Sequence, residues 1–149
     1  MSAIGQKRTL ECIVALALTV GNITDELGAP SFVHAFFSTI SKNCEPLGWG
    51  TRFPRLMNEL YQGKLPSGQA GAALAELRAA KAILTQLPLS GVVWDIDDPS
   101  AMPPWGENIA PSITSLGNYF ISSTGRDVFG ILEEALDYAA ANRREATIA

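Results

Sequence analysis

Cys12 to Val20 is an apolar run rich in Val, Ile and Leu, too short for an ordinary helix, and it ends at Gly21-Asn22. That pair suits a two-residue hairpin turn, so the pattern predicts a strand, a turn and a second short strand over Ile23 to Leu27. Gly28-Ala29-Pro30 breaks it. From Ser31 the period lengthens. Phe32, Val33, Phe36, Phe37 and Ile40 form an apolar helical stripe, with Ser31 placed to cap it and the stretch Asn43 to Pro46 placed to end it. A second helix is predicted over Pro54 to Gln62, with Phe53, Leu56, Met57, Leu60 and Tyr61 inward and Gly63 as its stop. A third runs from Ser67 to Leu87 on the stripe Ala70, Ala73, Leu74, Leu77, Leu84 and Leu87, and Pro88 closes it.

Beyond Pro88 the pattern shortens again. Val92 to Ile96 is apolar except at Asp95, which predicts a central strand covered on both faces. A helical turn is expected after Pro111 and another strand over Tyr119 to Ser122. The last helix, Arg126 to Arg143, carries Val128, Ile131, Leu132, Ala135, Leu136 and Ala139 on one face and Glu133, Glu134 and Asp137 on the other. Arg143-Arg144 suit its negative C-terminal end. The expected fold is α+β, one domain over residues 1–149, with a small β-sheet covered by four to five helices and residues 1–11 as a loosely ordered extension.

Composition narrows the function classes. A chain that is 47% hydrophobic has too much apolar content for disorder. Its net charge of −4 argues against a nucleic-acid binder, which neutralises phosphates with clustered Lys and Arg. No apolar run approaches the roughly 20 residues of a membrane helix. Lys7 and Arg8 before "CIVALALTV" imitate a secretory signal, which would place the protein in the periplasm. Glu11 interrupts that pattern and no A-x-A cleavage motif follows, so a buried strand and a cytoplasmic protein are the expectation. Cys12 and Cys44 make no CxxC motif and read as free thiols of a reducing compartment.

Candidate chemistry concentrates in "VVWDIDDPSAMPPWGENI", residues 92–109. Asp95, Asp97 and Asp98 at a strand end resemble the D-x-D of haloacid-dehalogenase-type phosphatases, where the pair binds Mg²⁺ and supplies a nucleophile. The chain continues Asp98-Pro99 rather than with a small hydroxyl residue, and the motif lies far from the N-terminus. The plainer reading is a turn with Asx-type hydrogen bonds before Pro99. His34, the single histidine, borders the apolar stripe of its helix and reads as structural. No G-x-S-x-G elbow accompanies the serines, and Gly63-x-x-x-x-Gly68 lacks the Lys-Ser/Thr of a phosphate loop. These residues point to a binding protein rather than an enzyme, with no cofactor. A metal-dependent hydrolase using Asp95 and Asp97 is the alternative.

Four stretches in order are similar to the immunity protein 70 family of bacterial polymorphic-toxin systems: "GAPSFVHAFFSTIS" (28–41), "WGTRFPRLMNELYQGKL" (49–65), residues 92–109, and "ITSLGNYFISSTGRDVFGILEEAL" (113–136). Met1 to Leu10 and Gly71 to Ala82 match only loosely. The resemblance implies a small α+β protein, made beside a toxin gene, that neutralises its cognate toxin by binding the toxin's C-terminal domain. It leaves homo-oligomerisation open and carries over no functional residues; that no nucleic-acid or membrane partner is expected rests on charge and hydropathy. In that light residues 92–109 gain a second meaning. Acids steer a basic toxin surface, and Pro103-Pro104 stiffen a loop so that less entropy is lost on docking. The candidate toxin contacts are Asp97, Asp98, Trp105, Glu107 and Asn108, while the same Pro-Pro-Trp-Gly equally suits a loop locked onto the fold. Trp94 reads as core.

Overall fold

The computed structural model describes residues 15–106 and 108–149. Gly21-Asn22 joins β1 (Leu16–Val20) to β2 (Ile23–Gly28), with Val20 opposite Ile23. Gly21 alone of the pair takes a positive φ, 60°, the requirement at the first central position of a type II′ hairpin turn. The first strand thus starts at Leu16 among the described residues; the expected beginning at Cys12 lies outside them.

β1 is the centre of a three-stranded antiparallel sheet of order β2-β1-β3, completed by β3 (Ala146–Ile148). Leu18 faces Ile148 and Val20 faces Ala146 across the ladder, and all four are buried. The sequence reading did not contain β3, because three residues make a single alternation and no period. Leu65 holds it from the other side, exchanging two backbone hydrogen bonds with Ala146 at 2.9 and 3.1 Å.

The long helices follow their stripes. In α1 (Pro30–Cys44), Val33, Phe36, Phe37 and Ile40 are buried as expected. Its cap is Ala29 rather than Ser31, since Pro30 opens the first turn, where a missing N–H leaves no bond unmade. The helix expected over Pro54–Gln62 is a π-helix, Arg55–Leu60, with the Tyr61 N–H bonded to the Leu56 carbonyl at 3.3 Å. It buries Leu56, Met57 and Leu60. α2 (Ala70–Thr85) and α3 (Val128–Asn142) pack against each other, burying Leu74, Leu77 and Leu84 from one and Ile131, Leu132 and Leu136 from the other. The molecule is an α+β fold whose core centres on Phe36, edge-on to Phe37, Phe120 and Phe129 at 5.1, 5.4 and 4.9 Å.

Two expected strands are corrected. Tyr119–Ser122 contributes only an isolated bridge, Ile121 with Asp127, because the chain turns back at once toward α3. The stretch after Pro111 is a turn closed by the Ile113 N–H on the Ala110 carbonyl. Val92–Ile96 joins no sheet at all; α1 holds it in place of a ladder. Among the described residues no helix is long and apolar enough to cross a membrane.

Candidate functional site

α1 interrupts its apolar stripe with His34, Ser38, Thr39 and Asn43, and these four side chains clasp residues 91–97, which run antiparallel to the helix. Asn43 Nδ2 donates to the Gly91 carbonyl at 3.0 Å. Thr39 Oγ1 donates to the Val93 carbonyl at 3.1 Å and accepts the Val93 N–H at 3.0 Å. Ser38 Oγ accepts the Ile96 N–H at 3.2 Å. Ser38 and Thr39 are fully buried, so these bonds supply the backbone partners that a neighbouring strand would otherwise provide.

The clasp delivers Asp95 and Asp97 to His34, one helical turn before Ser38. His34 Nε2 lies 3.2 Å from Asp95 Oδ1 and 3.8 Å from Asp97 Oδ2. Its other nitrogen, Nδ1, is 3.1 Å from the Tyr61 hydroxyl. Asp95 Oδ1 also accepts the Asp97 N–H at 2.9 Å, the expected Asx-type bond. Tyr61 is fixed by stacking on Phe37 at 4.2 Å. Burial, and after it the charge of Asp95, pushes its phenol above the ordinary range. The Trp49 ring covers His34 at 6.1 Å, inclined by 21°.

The Trp49 loop is rigid for a reason that lies in one buried carboxylate. Glu45, 3% exposed, accepts the N–H groups of Gly50, Arg52 and Phe53 at 3.0, 3.1 and 2.9 Å. Gly50 has φ 77°, and a Cβ there would collide with the Asn58 side chain, so glycine is required.

A second surface continues from the first. Asp98 Oδ1 accepts the N–H and the hydroxyl of Ser100 at 3.1 and 2.6 Å, and these bonds hold its carboxyl below the ordinary range. Trp105 donates its indole N–H to the Tyr119 hydroxyl at 2.8 Å and stands edge-on to Trp94 at 5.2 Å. It nevertheless remains 37% exposed, and Met102 beside it is 73% exposed. Leu89, Val92, Met102, Pro103, Ile109 and Tyr119 line a cleft of about 830 Å³ next to them. Asn108 is exposed, and Glu107 lies outside the described residues.

Of the residues singled out in the sequence, Asp95 and Asp97 therefore meet His34, Asp98 turns to Ser100, and Trp105 both locks its loop and presents a face. Trp94 is half-buried rather than core. His34, expected to be purely structural, is the residue whose surroundings the sequence does not show. The only signal was the polar series 34, 38, 39, 43 inside an apolar helix, and its partner Asp95 is 61 positions away.

The architecture is that of a small α+β protein carrying an acid-edged, partly apolar loop surface over a helix-clasped segment. The profile of the immunity protein 70 family matches residues 18–148, and the chain belongs to that family. Its class of role is accordingly that of an immunity protein. No curated protein and no solved structure matches the chain.

Proposed function

We propose that the chain acts in the cytoplasm of its producer, binding the C-terminal domain of a cognate secreted toxin and neutralising it without catalysis of its own. Family membership supplies the role. The observation that carries it to a surface is the exposed pair Met102 and Trp105 beside an apolar cleft, with Asp98 lining a smaller pocket that shares Met102. Interfaces draw most of their affinity from a few large side chains in an apolar centre, with charges at the rim setting orientation and rate.

The test mixes the purified chain with the toxin domain encoded beside it and measures affinity and residual toxin activity. The chain should bind and abolish activity. Met102→Glu alters an exposed side chain and should leave the melting temperature nearly unchanged while weakening affinity about tenfold or more. Absence of binding by the unaltered chain would overturn the proposed role. Undiminished binding by Met102→Glu would move the docking surface elsewhere.

A further inference from the structure

His34 and the two aspartates bring three metal-ligating atoms together from two separate elements, α1 and the segment clasped to it. We propose that His34 Nε2, Asp95 and Asp97 form a binding site for a first-row divalent transition-metal ion of the Zn²⁺ class. The inference goes beyond the toxin-binding reading and stands independently of it.

Spacing is the first support. The candidate ligand atoms of the three residues lie within 4.8 Å of one another. A tetrahedral ion with bonds of about 2.0–2.1 Å separates neighbouring ligand atoms by about 3.3 Å. His34 Nε2 and Asp95 Oδ1, at 3.2 Å, already have that spacing. Asp97 Oδ2, at 3.8 Å from Nε2, needs a shift of about 0.5 Å to reach it. The Asp97 side chain is 85% exposed and has room to make that shift.

The chemistry of the donor set selects the ion. Two carboxylates alone suit Mg²⁺, whereas an imidazole beside them favours Zn²⁺ and its first-row neighbours. His34 is what separates this site from the all-carboxylate D-x-D arrangement. Three protein ligands leave a fourth position, next to the exposed Asp97, for water or for a group brought by a partner.

The surroundings orient the ligands as well. Metal-bound histidines hold their second ring nitrogen in a hydrogen bond that fixes tautomer and ring plane. Here Nδ1 is 3.1 Å from the Tyr61 hydroxyl. With the proton on Nδ1, the Tyr61 oxygen accepts it and the Nε2 lone pair faces the two carboxylates. Trp49 covers the ring and Phe37 holds Tyr61, so the imidazole is placed before any ion arrives. The bond between Ile96 N–H and Ser38 fixes the backbone between Asp95 and Asp97.

The experiment uses the full chain, stripped with chelator and carrying Cys12→Ser to remove a competing thiol, titrated calorimetrically with Zn²⁺ alone. One equivalent should bind at low micromolar concentration or tighter. Millimolar Mg²⁺ should not displace it. Asp97→Asn should weaken Zn²⁺ binding by at least about tenfold while leaving the metal-free melting temperature unchanged, and Tyr61→Phe should weaken it about 10–100-fold through the lost orienting bond. His34→Gln should abolish binding; should that variant fail to fold, Asp97→Asn decides. No Zn²⁺ binding, affinity untouched by Asp97→Asn, or Mg²⁺ binding as tightly as Zn²⁺ would each overturn the site.

Discussion

Glu76 reaches from α2 to the start of the π-helix, where Oε1 accepts the Leu56 N–H at 2.9 Å. The first N–H groups of any helix lack partners within it, and this carboxylate supplies one from a neighbouring element. Burial is the largest influence on Glu76 and raises its pKa above the ordinary 4.5, outweighing the N–H donors of Leu56 and Arg55 that pull it down. The folded chain therefore keeps this proton at pH values where the unfolded chain has released it. Its contribution to stability declines as pH rises from the ordinary value through the raised one, and is constant above. Glu76→Gln removes the titration but keeps an oxygen for the Leu56 N–H. In urea denaturation between about pH 4 and 7, the variant's stability relative to the parent should rise across that window and then level off. A difference independent of pH would mean that the half-buried carboxyl titrates normally.

At the scale of elements α1 does two jobs, and its two faces separate them. Phe36 is 1% exposed at the junction of three aromatic rings, so Phe36→Ala should cost about 3–5 kcal/mol by opening a cavity, read from the urea midpoint. Toxin protection would then fail through misfolding. A variant that stays fully stable yet does not bind would show that the apolar face of α1 is an interface. The stripe holding Phe36 was legible because a fifteen-residue helix repeats its period several times. The hairpin was legible from Gly21-Asn22. Six residues of π-helix, Arg55–Leu60, cannot be told from an α-helix by spacing, so its position was readable and its type was not. Val92–Ile96 misled for a physical reason: its apolar content is that of a buried strand, yet its backbone partners are the side chains of Ser38 and Thr39. All five residues are only half-buried, so the apolar content registers contact with α1 and not a sheet covered on both faces. The same clasp explains why Asp95 and Asp97 stand out in the sequence while their pairing with His34 does not, since only the folded chain sets α1 against residue 95.

For the whole molecule the decisive quantity is how a chain of net charge −4 meets a partner. Asp98 is exposed, and its bonds to Ser100 keep it ionised into more acid solution than an ordinary aspartate. Asp98 lines a smaller pocket together with Met102, which also lines the apolar cleft, so steering and docking would act on the same partner surface. Asp98→Asn with Glu107→Gln should leave stability within about 0.5 kcal/mol. It should slow association with the toxin domain, most strongly at low salt, because exposed charge is screened over about 8–10 Å at physiological ionic strength. Trp105 tests the other half of the surface. Its indole N–H is held by Tyr119 while more than a third of the residue is exposed, so Trp105→Ala should lower the melting temperature and also raise the dissociation rate. Stopped-flow association and surface-based dissociation separate the two effects: charge removal acts on the first rate and Trp105 on the second. Both rates unchanged in both variants, with Trp105→Ala only less stable, would make this loop a structural lock and place the toxin on another face.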